Sequence, residues 1–177
     1  MSSPKTIVLL RHGRTAWNRA GILIGQKNIP LDNGGRREAG RAVRSLTGID
    51  AIYSSPLSRC KETAEIIGAS LGLRVVLLMG LSERHWGVLE GRPKSERDRS
   101  QNPEGGETID AFRSRVAEIL PHLAGTRPLV VTHSGVIRLL CAQPNTLVPH
   151  AKPIELSFGT IESVGRQLKA KGDDLAT

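Results

Sequence analysis

Two histidines stand where their side chains could carry out chemistry on an anion. His12 follows the apolar run 7–10 and Arg11, and His133 follows residues 129–132, which are also of the type that forms a buried strand. A glycine comes one or two residues after each histidine. Because ligands of open α/β sheets bind outside the carboxyl ends of the strands, we expect both imidazoles to share one site. The arginine beside His12 indicates an anionic ligand.

Two further segments supply side chains to the same predicted site. Residues 54–59 follow the strand pattern at 50–54 and include Arg59. Residues 81–87 follow the strand pattern at 74–78 and include Glu83. If the strands that precede His12, Arg59 and His133 are parallel neighbours, their carboxyl ends place Arg59 beside both histidines. Guanidinium forks and imidazoles on several sides of one pocket suit a tetrahedral dianion such as a phosphoryl group.

The elements that position these residues alternate along the chain. The pattern predicts strands at residues 5–10, 50–54, 74–78 and 128–132, and helices at 36–46, from the Ser55-Pro56 cap to about 71, 109–123 and 136–141. It also predicts a loop over residues 82–106, a last strand near 157–164 and a flexible tail from about residue 166. This alternation predicts one domain, residues 1–177, folded as a three-layer α/β/α sandwich around a mostly parallel sheet.

Composition limits the class of protein. With 177 residues, 38% hydrophobic and 24% charged, the chain resembles an ordinary soluble globular domain. The net charge of +8 suits an anionic substrate, and the scattered lysines and arginines do not favour nucleic acid. Neither a signal peptide nor a membrane-length apolar run is evident, which predicts a cytoplasmic protein with no membrane partner. Cys60 and Cys141 match no metal or disulfide pattern.

Five blocks of residues, in this order, resemble a known family. They are residues 11–18 (RHGRTAWN), 55–59 (SPLSR) with Thr63-Ala64, 81–91 (LSERHWGVLEG), 103–108 (PEGGET) and 132–138 (THSGVIR). Together they resemble the motifs of the histidine phosphatase superfamily, whose best-known branch contains phosphoglycerate mutase-like enzymes. A lone R-H-G would mean little, whereas five ordered blocks form a specific signal.

The resemblance implies a metal-independent phosphatase that needs no cofactor and acts on a small phosphorylated metabolite. His12 would attack phosphorus and become a phosphohistidine, and Glu83 would protonate the leaving oxygen. Neighbouring guanidinium groups should lower the pKa of His12 and keep it neutral. The residues implied to hold the phosphoryl group are Arg11, Asn18, Arg59, His133 and Ser134.

Other polar residues near the motifs have weaker assignments. Glu90 and Glu107 are alternatives to Glu83 as the proton donor. Three histidines are interpreted as structural or solvated: His85, His122 and His150. The charged residues of the loop are interpreted as solvated, although some could face the substrate: Arg92, Lys94, Arg97 and Arg99. Several residues depart from the usual family pattern: Arg14, which is expected to add positive charge at the pocket mouth, Asn28, Asn33-Gly34 and Ser134.

Three functions remain open at this point. The first is a phosphomonoesterase, the second a phosphoglycerate mutase, and the third a catalytically silent binding module on the same fold. Family mutases carry a long insertion after the glutamate motif that helps to enclose the substrate, whereas about two dozen residues separate Glu83 from the helix at Thr108. This short span favours hydrolysis, and retention of both histidines, both arginines and Glu83 disfavours the silent module. The substrate and the oligomeric state are not determined, and residues 84–106 are expected to influence specificity.

Overall fold

A five-stranded sheet forms the centre of the computed structural model, which describes residues 5–173. The strands are β1 (Thr6–Arg11), β2 (Ala51–Ser54), β3 (Val75–Leu77), β4 (Pro128–Thr132) and β5 (Pro153–Ser157). Their order is β3-β2-β4-β1-β5, and only β5 runs antiparallel to its neighbour. The mostly parallel sheet predicted from the sequence is therefore confirmed.

Helices cover both faces of this sheet. They are α1 (Ala16–Arg19), α2 (Asn33–Ala42), α3 (Ser58–Leu71), α4 (Ile109–Ile119), α5 (Ser134–Leu140) and α6 (Phe158–Asp173). None of the helices in the described part of the chain is long and apolar enough to cross a membrane. Short 3₁₀ turns lie between the helices and strands, including three between β3 and α4.

Alternating residues of the central strands make the two halves of the core. Ile7 and Leu9 of β1 join one cluster with residues of α4, α5 and α6, while Val8 and Leu10 join another with residues of α2 and α3. All four side chains are at most 1% exposed, so each contributes about 2 kcal/mol of apolar burial. A strand buried on both faces reads as a continuous apolar run, and this burial produces the three-layer α/β/α sandwich.

The C-terminal region differs from the prediction. The last strand is Pro153–Ser157, not residues 157–164, and helix α6 begins at Phe158. Ile161, Val164 and Leu168 recur at helical spacing and are buried, which is the pattern that the strand assignment missed. The predicted tail is therefore wrong as far as Asp173, and residues 174–177 lie outside the described part.

The starts of helices α2 and α3 also differ from the prediction, and α5 begins at Ser134, two residues earlier than predicted. Helix α2 begins at Asn33, three residues earlier than predicted, because the Asp32 side chain accepts the amide of Gly35 and caps the first turn. Helix α3 begins at Ser58, not at Ser55-Pro56, and the residue before it makes no side-chain cap. Instead Asn28, distant in sequence, accepts the amide of Ser58 at 3.0 Å.

The long loop after β3 is fastened by one buried arginine. Arg84 is 3% exposed and donates to the backbone carbonyls of Glu107, Arg99 and Gln101 and to the side chain of Asn102. A guanidinium group has five N–H donors in a fixed plane, so it can hydrogen-bond several segments of a loop at once. The predicted loop is thus largely irregular but internally connected.

Candidate active site

The sheet topology brings the two histidines together. Strands β1 and β4 are parallel neighbours that end with Arg11 paired to Thr132, so His12 and His133 leave the same edge. Their ring centroids lie 5.3 Å apart. Arg59 comes from the first turn of α3, after the neighbouring strand β2. The predicted convergence of these residues is confirmed.

The hydrogen bonds of His12 assign the tautomer of its imidazole. Its Nδ1 lies 2.7 Å from the carbonyl oxygen of Gly13, so this nitrogen must carry the hydrogen and donate it. Nε2 then carries no hydrogen, and its single lone pair accepts from Arg59 Nε at 3.3 Å. Burial, assisted by the charge of Arg59 and the other nearby basic groups, lowers the pKa of His12 well below its usual range. The imidazole is therefore neutral at pH 7.

Arg59 connects His12 to its surroundings. The residue is 1% exposed, and its guanidinium also donates to the carbonyls of Lys27 and Gly25 and to His133 Nδ1. Burial lowers the pKa of this guanidinium, while its hydrogen bonds to the two backbone carbonyl oxygens favour the protonated form. A buried cation therefore lies beside Nε2, where it could also bind an anion.

His133 lies behind Arg59 and does not line the pocket. It is fully buried, with Nδ1 accepting from Arg59 and Nε2 lying 2.9 Å from the hydroxyl of Ser55. Burial, followed by the charges of Arg59 and Arg11, lowers its pKa well below the usual range. The geometry makes His133 a partner that orients Arg59. Direct contact with phosphoryl oxygens, as predicted from the sequence, would require it to exchange one of these bonds.

Arg11 and Asn18 present free donors to the pocket. Arg11 Nη1 donates to the carbonyl oxygen of Val148 at 2.7 Å. The buried Nε of Arg11 has no partner among the described residues. Burial lowers its pKa to about 10. Asn18 uses its side-chain oxygen to accept from Thr15 in a capping box. Its amide nitrogen is then the atom available to a ligand.

Two backbone amides hold the carboxylate of Glu83. Arg84 donates to Oε1 at 2.9 Å and Gly135 donates to Oε2 at 3.1 Å. A Cβ atom at position 135 would lie 2.1 Å from Glu83 Oε1. Only glycine allows the start of α5 to approach the carboxylate this closely.

The two other glutamates near the motif have structural partners. Glu90 accepts the amides of Gln26 and Trp86, and Glu107 forms a two-point pair with Arg115 at 2.6 and 2.9 Å. Neither lines the pocket that contains His12, whereas Glu83 does. The structure therefore favours Glu83 over both alternatives.

The pocket that contains His12 has a volume of about 160 Å³. Its wall includes the predicted site residues Arg11, His12, Asn18, Arg59, Glu83 and Ser134. It also includes four basic residues to which the sequence assigned no definite role: Lys94, Arg97, Arg99 and Arg138. Arg138 follows Ser134 by four residues in α5 and so shares its helix face, which is a signal that could have found it.

The comparisons with known proteins agree with this geometry. The family model of the histidine phosphatase superfamily (branch 1) matches residues 7–164. The chain belongs to this superfamily.

Relatives within the superfamily include both mutases and phosphatases. A 2,3-bisphosphoglycerate-dependent phosphoglycerate mutase of Parvibaculum lavamentivorans is 30% identical, over 96% of this chain and 93% of that one. A metal-independent phosphoserine phosphatase of Arabidopsis thaliana is 36% identical, over 76% and 66%. A crystal structure of phosphoglycerate mutase from Thermus thermophilus superposes with a TM-score of 0.73 at 34% identity, covering 85% of this chain and 92% of that one.

Two departures from the usual superfamily pattern are now explained. Arg14 does not line the pocket but pairs with Glu38 of α2, so the predicted positive charge at the pocket mouth is wrong. Asn28 caps α3 by accepting the amide of Ser58. This amide is consequently not free for a ligand.

His150 lies against His12, a contact that the interpretation of His150 as structural or solvated did not identify. Its Nδ1 donates to the carbonyl oxygen of His12 at 2.8 Å, and its ring lies 5.4 Å from the His12 ring. It comes from the segment before β5, more than a hundred residues from His12. Burial, followed by the charge of Arg11, lowers its pKa to about 3.

Three neutral histidines, of which His12 and His133 are buried and His150 is partly buried, predict that this histidine phosphatase superfamily member loses stability in acid. The pKa values of His12, His133 and His150 are lowered in the folded state, so below about pH 6.5 the unfolded chain binds more protons. We expect the free energy of unfolding to be greatest above pH 6.5. Each histidine then removes up to about 1.4 kcal/mol per pH unit as the pH falls.

Denaturant titrations at pH 7.5, 6.0 and 5.0 measure this dependence. Replacing His150 with Gln should reduce the slope, and replacing the exposed His122 in the same way should leave it unchanged. Equal slopes for wild type and both variants would contradict the assignment.

Proposed function

We propose that this protein is a phosphatase that hydrolyses small-molecule phosphate monoesters through a phosphohistidine at His12. The observation that carries the proposal is the orientation of His12, whose Nδ1 hydrogen is engaged by Gly13 while the Nε2 lone pair lies in the pocket next to Arg59. A neutral imidazole in this tautomer can attack phosphorus in line once Arg59 Nε shifts its hydrogen bond from Nε2 to a phosphoryl oxygen.

In the first step, the Nε2 lone pair forms a bond to phosphorus as the bond from phosphorus to the alcohol oxygen breaks. The protonated carboxyl of Glu83 gives its proton to the departing oxygen. Charge on the transferring group spreads over its three equatorial oxygens, so the main contribution of the protein is positioning and electrostatic stabilisation. Arg11, Arg59 and the amide of Asn18 would supply these contacts.

In the second step, water attacks the phosphohistidine. The Glu83 carboxylate accepts a proton from this water as the bond between phosphorus and nitrogen breaks, which releases inorganic phosphate and neutral His12. His133 would hold Arg59 in place throughout. Every group used in the two steps is a side chain, so the proposal includes no metal and no cofactor.

Hydrolysis is favoured over mutase activity by the surroundings of Glu83. The pocket continues past this residue into a chamber of about 630 Å³, through which water could reach the intermediate. The loop after β3, which could have enclosed the substrate, is held in place by hydrogen bonds from Arg84 to three of its backbone carbonyls. A mutase must keep its bisphosphorylated intermediate from water and from release, and closure of a lid is the usual means.

A pair of assays on one preparation tests the proposal. Inorganic phosphate release is measured with phosphoserine, 3-phosphoglycerate and p-nitrophenyl phosphate, and interconversion of 3- and 2-phosphoglycerate is measured with 2,3-bisphosphoglycerate present. We expect release from at least one ester in the presence of a chelator, and interconversion at least about tenfold slower. Faster interconversion than release would establish the mutase instead.

A further inference from the structure

A chamber beside the active pocket points to the nature of the substrate. We propose, on the basis of the phosphatase function above, that the alcohol part of the substrate is bulky and apolar and occupies this chamber. The apolar side chains that form its wall are Trp86, Ile109, Phe112, Leu139, Val164 and Leu168. They come from the loop after β3 and from helices α4, α5 and α6.

The location of Glu83 directs the leaving group towards this chamber. Glu83 lines both the pocket that contains His12 and the chamber, as do Ser134 and Arg138. A general acid must be within hydrogen-bond reach of the oxygen that it protonates. The leaving oxygen therefore lies at the junction of the two spaces, and the group attached to it extends away from His12 into the chamber.

The two volumes suit different parts of one substrate. The pocket around His12 holds about 160 Å³ and has several cationic groups on its wall, whereas the chamber holds about 630 Å³. Sites for organic ligands of drug-like size measure roughly 300–1,000 Å³ and are mostly apolar. A three-carbon phosphate ester would leave most of the chamber to water.

Three of the five arginines on the chamber wall donate to protein groups, whereas the buried Nε of Arg97 has no partner among the described residues. Arg84 is used by the loop carbonyls, Arg113 pairs with Asp110 at 3.2 Å, and Arg138 Nε donates to the carbonyl of Thr146. Arg84 and Arg97 also stack near the Trp86 ring, with centroid distances of 4.6 and 5.3 Å. Hydrocarbon is therefore the main surface offered to a ligand, and it favours burial of an apolar group.

A homologous series of n-alkyl phosphates tests this proposal. Propyl, butyl, pentyl and hexyl phosphate have the same charge and nearly the same leaving-group basicity, so differences in kcat/KM report burial of the chain. We expect kcat/KM to rise by up to about fourfold for each added methylene, and at least tenfold from propyl to hexyl. A series that stays flat while propyl phosphate is hydrolysed would overturn this inference alone. No phosphate release from any ester would overturn the phosphatase proposal and the inference with it.

Two pairs of variants locate the effect. Gln167→Trp adds bulk at an exposed position on the chamber wall, and Glu162→Trp places the same bulk on an exposed part of α6 outside it. Leu139→Asn makes the wall polar, and Leu147→Asn changes a residue that is 83% exposed and outside it. We expect the hexyl-to-propyl ratio of kcat/KM to fall at least fivefold in the first member of each pair only. An unchanged ratio in Gln167→Trp, with the protein folded, would contradict the proposal.

Discussion

Replacement of His12 by alanine is expected to reduce kcat for phosphate release by on the order of 10⁴-fold or more, because the covalent route is lost. The nearest other imidazoles cannot substitute for it. His133 is fully buried with both ring nitrogens in contact with protein groups, and His150 donates to the His12 carbonyl. Steady-state kinetics with p-nitrophenyl phosphate measures the loss.

The covalent intermediate provides a second, independent readout. Rapid quenching of a reaction with phosphorus-labelled substrate should trap label on the wild-type protein in a form that is stable to base and labile to acid. The His12→Ala variant should show none, while replacement of the exposed His122 should leave both rate and label unchanged. Substantial turnover by folded His12→Ala would show that another group is the nucleophile.

The second large effect is expected at Glu83, and it depends on the leaving group. Glu83→Gln removes the transferable proton, so hydrolysis of an alkyl phosphate should fall by about 10²–10⁴-fold. Hydrolysis of p-nitrophenyl phosphate should fall less than about tenfold in its first step, since nitrophenolate departs without protonation. Single-turnover measurement of the burst of nitrophenol isolates that step.

The comparison between substrates separates catalysis from structure. Glutamine can accept the amide of Arg84 or of Gly135 with its single carbonyl oxygen, and its NH₂ group would oppose the other donor. Any such distortion affects both esters, whereas loss of the proton donor affects the alkyl ester more. Equal losses would argue against general acid catalysis. Glu104→Gln, an exposed change in the same loop, provides the control.

Much of the fold could be predicted because it depends on local patterns. Strand β4 was predicted at residues 128–132, as observed, since a strand buried on both faces must be continuously apolar. The Thr108 cap of α4 could be predicted in the same way, because the Thr108 side chain accepts the amide of Ala111, only three residues away. The start of α3 was not, because its cap, Asn28, is thirty residues away.

Local sequence patterns were enough to predict which residues meet at the candidate active site. Arg11, His12, Arg59 and Glu83 each follow a strand closely, and parallel neighbouring strands deliver such residues to one edge of the sheet. What each of them contacts depends on the tertiary fold. The assembled structure placed His133 behind Arg59, brought His150 against His12, and built the chamber from α4, α5, α6 and the loop after β3. These contacts join segments far apart in the chain, so no local spacing or period encodes them, and packing of the assembled layers alone establishes them.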